Sequence, residues 1–339
     1  MLTLHYEARF GLARGAVWWQ GKPHLFAQGY EYDPSLGVLG TRSVARLRAK
    51  AGNLLFLKLA DGEDAVLEGP NEVLTRLNEG ATVEVEIIAE SRNAGAKLAR
   101  ARYVAPATGE LRRLSPVLSL KARLLAQAVS LIGDRPVEEV FDRDVIDLAQ
   151  DEAVRPSGDL AGGGYLHIEP TSALIACDVD SSGGTEGGLA AAPVAGRVCN
   201  EAAVRDLGRR LRLSGRAGLV VVDLIGKRHD GDRLRTLLMQ GFAAEAPRLV
   251  VAPIGKFGTL EFTRPWGARP AGDFHLLTAA IYSLWQAIRL SEQDRSRVIV
   301  IRHQAGVIDG LRPLLAGSLD PLAPMLRLEV APKSEVFAL

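Results

Sequence analysis

The stretch LIACDVDSSGGTEGG, residues 174–188, runs through small apolar positions and then sets Asp178 and Asp180 just before a run of Ser, Gly and Thr. GLVVVDLIG at 218–226 repeats the device, an apolar β-branched run followed by one acid, Asp223. Both read as buried strands of an α/β layer. In a strand alternate residues share a face, so Asp178 sits with Ala176 and Asp180, while Cys177 and Val179 face the other way. An amphipathic helix over about 198–213, with Val204, Leu207 and Leu211 as its core stripe, separates the two runs. The two strands are joined by a helical crossover, so if they lie side by side and parallel, their C-terminal ends, and with them Asp178 and Asp223, come together. Open α/β sheets bind ligands at that edge.

Two carboxylates at close range repel unless a cation sits between them, and hard oxygen donors favour Mg²⁺ or Mn²⁺. An ion held by two acids keeps positions open for water and a phosphate oxygen, which suits phosphodiester hydrolysis. The plain alternative is that these acids cap turns or pair with nearby arginines. Other chemistries fit less well. The glycines at 183–188 lack the GxGxxG spacing, no Gly-Lys pair completes a phosphate-binding loop, and the six histidines form no HExxH pair. No GxSxG elbow is present.

Outward from this layer, GAVWWQ (15–20) and HLFAQG (24–29) flank a GKP turn and read as one hairpin. SVARLRA, NLLFLKLADG, AVLEG, ATVEVEIIAE and AKLARARYV then give five short strands over 36–105, the pattern of a small closed barrel of the oligonucleotide-binding type. Val83, Val85 and Ile87 alternate onto one face. Helical periodicity follows in LSLKARLLAQAVSLIG and VEEVFDRDVIDLAQDEAV, up to the linker RPSGDLAGGGY at 155–165. YLHIEPTSALIACDVD reads as one strand. Beyond the second acidic strand come a helix (about 230–245) and the strands RLVVAPI and TLEFTR. RPWGARPAGDF at 264–274 is a second linker, and a small α/β cap with the helix HLLTAAIYSLWQAIRL and the strands RVIVIRH and MLRLEVA closes the chain.

The 339 residues are 47% hydrophobic and 24% charged, an ordinary balance for a globular protein of two or three domains. No apolar run is long enough to span a bilayer, and the N-terminus lacks a signal-peptide core, so the expected location is the cytoplasm. Two cysteines, Cys177 and Cys199, make neither a disulfide framework nor a four-cysteine zinc site. The formal charge of +1 announces no global basic field, but Arg and Lys cluster over 92–123 and 205–216. Each cluster reads either as a polyanion contact or as a solvated face.

The ordered set of motifs resembles the bacterial ribonuclease E/G endoribonucleases. SALIACDVDSSGGTEGG resembles that family's strand and loop bearing the first metal-binding aspartate, NEAAVRDLGRRLRLSGRAGLVVVDLIG its helix and second acidic strand, and GKFGTLEFTR its basic-Phe-Gly-x-x-Glu-x-x-Arg segment. The resemblance implies a split RNase H-like subdomain (1–35, returning within 106–164) with an inserted S1 barrel (36–105). A DNase I-like catalytic layer (165–264) and a small C-terminal domain (275–339) complete the expected α/β and β architecture. It further implies that Asp178 and Asp223 hold Mg²⁺ and activate water, that Asp180 stands where the family has an orienting Asn, and that Lys256 replaces an Arg near a phosphate. Phe56 matches an RNA-stacking aromatic whose partner is replaced near Val66 or Leu67, and Lys97 and Arg100 are the expected phosphate contacts.

The departures are equally specific. The segment between barrel and catalytic layer is too short for the family's 5′-monophosphate sensor. The Cys-Pro-x-Cys zinc link is absent from 265–274, so neither zinc nor a zinc-linked dimer is expected. The expectation is therefore a compact, Mg²⁺-dependent endoribonuclease acting on single-stranded RNA by water attack, leaving a 3′-hydroxyl and a 5′-phosphate. The alternatives are an RNA-binding or RNA-processing accessory protein that no longer cuts, or an enzyme for another phosphate ester.

Overall fold

Alternating apolar residues near the N-terminus build not one hairpin but three antiparallel strands, β1 (Leu2–Arg9), β2 (Leu12–Trp19) and β3 (Lys22–Tyr30), in a computed structural model that describes residues 1–93, 95–181, 192–273 and 276–339. The chain then leaves this sheet for β4 (Arg42–Ala51), β5 (Leu54–Lys58), β6 (Asp64–Glu68), the short helix α1 (Asn71–Arg76), β7 (Thr82–Ala89), β8 (Ala99–Pro106) and β9 (Arg112–Arg113). Strands β4 to β8 close into a barrel in the order β4-β5-β6-β8-β7-β4, and β9 adds to β4. The barrel is filled by alternate residues, among them Leu57, Val83, Val85 and Ile87, all fully buried. This is the oligonucleotide-binding type of barrel expected from the five short strands.

Helix α2 (Leu120–Ile132) and the short strand β10 (Glu138–Glu139) return the chain to the first sheet, β10 pairing in parallel with β1. Leu120, Leu124 and Ala128 of α2 cover one face of that sheet with Leu4, Val17 and Leu25. Helix α3 (Arg143–Val154) covers the other, so even its polar residues are buried: Arg14, 3% exposed, donates to Glu7 Oε1 at 2.7 Å.

The acidic layer is a six-stranded sheet of β11 (Gly158–Asp159), β12 (Tyr165–Pro170), β13 (Ile175–Asp180), β14 (Gly218–Asp223), β15 (Val250–Val251) and β16 (Thr259–Arg264), in the order β11-β12-β13-β14-β16-β15. The single strand read over 165–180 is in fact the hairpin β12–β13. Its turn carries no glycine; Thr171 closes it by accepting from Leu174 N at 3.0 Å while its own hydroxyl donates to Leu174 O at 2.8 Å. Helices α4 (Ala192–Ser214) and α5 (Gly231–Phe242) lie on one face of the sheet, where Cys177, Val179, Val220 and Val222 meet Val204, Leu207, Leu211, Leu238 and Phe242. At their crossing a Cβ on Gly208 would stand 2.5 Å from the backbone of Gly241, so only glycine permits this approach.

Helix α4 also packs on β3 and α3, so Arg209 and Arg212 form neither the polyanion contact nor the solvated face offered for the 205–216 cluster. Arg209, Arg210 and Arg212 are at most 8% exposed, while Arg205 is exposed. Arg209 donates to Pro23 O, Glu152 and Asp206, and Arg210 to Asp206, Pro156 O and Asp159 O. The guanidiniums therefore fasten one sheet to the other, because the second side of α4 faces protein.

The C-terminal unit is α6 (Leu276–Gln293), β17 (Ile299–His303), α7 (Ala305–Ala316), β18 (Leu326–Val330) and β19 (Glu335–Ala338), with β17 central in its sheet. Among the described residues no helix is long and apolar enough to cross a membrane.

Candidate active site

Strands β13 and β14 are parallel neighbours, and their register sets Asp178 directly opposite Asp223. The outer strands extend this into a row across four strands. His167 of β12 lies opposite Asp178, and Thr259 of β16 opposite Asp223. Asp178, Asp180 and Asp223 are exposed, on the sheet face away from α4 and α5. The alternation that buries Cys177 and Val179 turns these acids outward.

The ground beneath Asp223 is fixed by a residue that no sequence motif singles out. Asn200, 2% exposed on α4, accepts from Ile225 N at 3.0 Å and donates from Nδ2 to Ile225 O at 3.0 Å. Two bonds to the backbone of one residue hold the loop that begins where the strand ends. On the other flank, Thr259 donates its hydroxyl to Glu261 Oε1 at 2.9 Å, and Tyr165 packs on His167 with ring centroids 4.6 Å apart. Asp180 lies close enough to the Cys199 thiol that burial first, and the Asp180 charge second, push that thiol up. The glycine-rich loop expected at 183–188 lies outside the described residues.

Lys256 sits exposed in the tight turn that precedes Thr259, closed by Gly255 N donating to Thr259 O at 2.9 Å. Gly258 has φ +88° and a Cβ there would stand 2.8 Å from Gly226 O, so this turn packs against the loop after Asp223. Phe257 beside it is 88% exposed. Sequence spacing shows neither this closeness nor the part played by Asn200, His167 and Thr259, because all depend on cross-strand register.

A second group forms on the barrel. Phe56 pairs with Val66 and Val66 with Arg100, giving a row Phe56, Val66, Arg100 across β5, β6 and β8. Val66 is therefore the neighbour of Phe56, whereas Leu67 is buried in the barrel. Arg100 is ion-paired with Glu68 and Arg102 with Glu86. Lys97 is exposed in the turn that bridges back to Arg92. The basic segment of 92–123 is thus partly neutralised by its own acids, in exposed pairs worth at most about 1 kcal/mol each that a phosphate can displace.

Segment 265–273 docks on the barrel rim. Glu90 N donates to Gly267 O at 2.9 Å, Arg269 N donates to Glu90 Oε2 at 3.1 Å, and the Arg92 guanidinium lies 4.1 Å over the Trp266 ring.

Comparison with known proteins meets this geometry. The family model described as "Ribonuclease E/G family" matches residues 101–266. Ribonuclease E of Nostoc sp. is 36% identical over 131 residues, 38% of this chain and 18% of the relative. Ribonuclease E of Escherichia coli is 31% identical over 159 residues, 44% of this chain and 13% of the relative. A putative ribonuclease E of Buchnera aphidicola is 35% identical over 108 residues, 31% of this chain and 26% of the relative. The matches therefore span about a quarter or less of these curated relatives. Over residues 101–266, which carry both strand-end aspartates and the sheet that pairs them, the chain matches the ribonuclease E/G family.

Proposed function

We propose that the chain is an endoribonuclease that hydrolyses phosphodiester bonds of single-stranded RNA, leaving 3′-hydroxyl and 5′-phosphate ends, and that it works with Mg²⁺ or Mn²⁺. The observation that carries this reading is the register of Asp178 against Asp223 at the C-terminal ends of two parallel strands. Two adjacent, outward-facing carboxylates are hard oxygen donors and fit such an ion. Among the described residues no group of three or more His, Cys, Asp and Glu side chains converges on a metal position. Once bound, a divalent ion lowers the pKa of water and offsets charge on the phosphoryl oxygens.

The remaining roles belong to the chain. Asp178 and Asp223 hold the ion; Asp180, on the same face, orients the attacking water or Asp178. Asn200 keeps Asp223 in place through Ile225. Lys256 supplies positive charge beside a phosphate. On the barrel Phe56 stacks a base while Arg100 and Lys97 track phosphates, the combination single-stranded nucleic acid requires. We read the first sheet with α2 and α3 as the RNase H-like subdomain, split by the inserted barrel, and 165–264 as the DNase I-like catalytic layer.

End-labelled single-stranded RNA incubated with the protein in Mg²⁺ or Mn²⁺, beside Asp178→Asn and Asp223→Asn, tests the reading. Cleavage by the wild type alone, with 5′-phosphate product ends, supports it. RNA that stays intact while bound favours the non-catalytic alternative, to which Asp180 in the Asn position and Val66 beside Phe56 lend support.

A further inference from the structure

A cavity of about 200 Å³ opens where the barrel, α2, the end of α4 and the 264–268 segment meet. Leu39 and Ile88 of the barrel and Leu131 of α2 give it apolar walls, and Arg212, Arg248 and Arg264 border it with a single carboxylate, Glu245. Glu245 is engaged by Arg264, whose Nε and Nη2 each donate to it at 3.0 Å. One acid thus faces three guanidiniums.

Arg212 is the unusual member. It is 8% exposed, and Nη2 meets His24 Nδ1 at 3.4 Å, but Nε and Nη1 find no acceptor among the described residues. Burial, with Arg264 and Arg209 adding to it against Glu245, brings its pKa down to about 10, so it remains charged at neutral pH. A buried cation with two unpaired N–H groups lowers stability unless an anion reaches it.

The cavity also limits what that anion can be. Its volume falls below the roughly 300–1,000 Å³ of pockets for drug-sized ligands. Trp266 on its wall has one face covered by the Arg92 guanidinium, 4.1 Å from the ring. A compact oxyanion matches the guanidinium fork.

We propose that this cavity binds a phosphate dianion, as free inorganic phosphate or as the phosphate group of a small monoester, with Arg212 as the inner anchor and Arg248 at the rim. The site is separate from the strand-end acids, and its occupancy does not depend on RNA cleavage.

Calorimetric titration of the full chain at constant ionic strength tests this, with inorganic phosphate, adenosine monophosphate and chloride as separate arms. Saturable heat with phosphate but not chloride is expected, with at least a tenfold loss of affinity in Arg212→Met and a several-fold loss in Arg248→Gln. Adenosine monophosphate binding as tightly as phosphate identifies the monoester as the source; binding of phosphate alone identifies the free ion. Without phosphate, Arg212→Met should melt no lower than the wild type, since it removes an unpaired buried charge. No saturable heat, or unchanged affinity in both variants, overturns the proposal; if Arg212→Met does not fold, Arg248→Gln decides by the same criterion.

Discussion

Asn200 and Ile225 form a closed ring of two hydrogen bonds, the amide oxygen accepting from the Ile225 N–H and the amide nitrogen donating to the Ile225 carbonyl, each at 3.0 Å. The ring ties α4 to the peptide two residues after Asp223.

Asn200→Ala leaves a peptide N–H and C=O without partners in the interior, at a cost of about 1–3 kcal/mol. Asn200→Asp keeps the acceptor but turns a second acceptor toward Ile225 O, so it should destabilise more. Urea unfolding of both variants checks the order. If Asp223 acts as proposed, RNA cleavage by Asn200→Ala should fall through kcat rather than KM.

Acid should weaken the fold in two steps. His24 has its pKa pushed down to about 4, by burial first and then by Arg212 and Arg209. The unfolded chain takes up that proton near pH 6.5 while the folded chain refuses it, so stability is lost as pH falls from about 6.5 towards 4. Asp206 is held far below the usual carboxylate range by Arg209 and Arg210, which outweigh its burial. Its contribution is present above about pH 4 and drains away below that value. Unfolding free energies across pH 3–8 should show both falls, with His24→Gln flattening the upper one. Asp206→Asn takes the one carboxylate from buried Arg210 and leaves Arg209 with Glu152, and should cost about 3–5 kcal/mol at neutral pH.

Gly208→Ala drives a methyl into the backbone of Gly241, where no side chain can move aside. Overpacking of this kind costs about 1–3 kcal/mol. Alanine at Gly310, where nothing lies within 4 Å of the added Cβ, should not destabilise α7, and comparing the two melting curves separates crowding from loss of glycine itself.

On the barrel, Phe56→Ala should weaken binding of a short single-stranded RNA by about 1–3 kcal/mol, the worth of one stacked base. Val66→Phe places a second ring beside the first in the established register and should strengthen binding. Fluorescence anisotropy with a labelled oligonucleotide reads both, and a Val66→Phe protein that binds no better than wild type removes the stacking role from this face.

The pairing of Asp178 with Asp223 was legible in the sequence because two apolar runs, each ending in an acid, enclose a helix, and chain handedness then leaves few arrangements. The barrel was legible because five period-2 segments follow in succession. The burial of Arg209, Arg210 and Arg212 was not, because helical periodicity marks the face richest in apolar residues and is silent on a second face that packs through charges. The β12–β13 hairpin escaped notice because a threonine hydroxyl, not glycine, closes its turn. Strand β1 was legible too, since Leu2, Leu4, Tyr6 and Ala8 alternate with Thr3, His5, Glu7 and Arg9. The arginine-lined cavity draws its walls from segments far apart in sequence, so no spacing rule could assemble it.

Where the chain departs for the barrel and where it returns, Tyr32 and Ser119 form an isolated antiparallel bridge, and Leu120 N donates to Glu31 O at 2.7 Å. The doorway to the 86 residues between Tyr32 and Ser119 is therefore one backbone hydrogen bond wide. Such an insertion can be gained, exchanged or excised without re-threading its host, as closely spaced domain termini permit. The barrel and the acidic sheet can thus change at different evolutionary speeds.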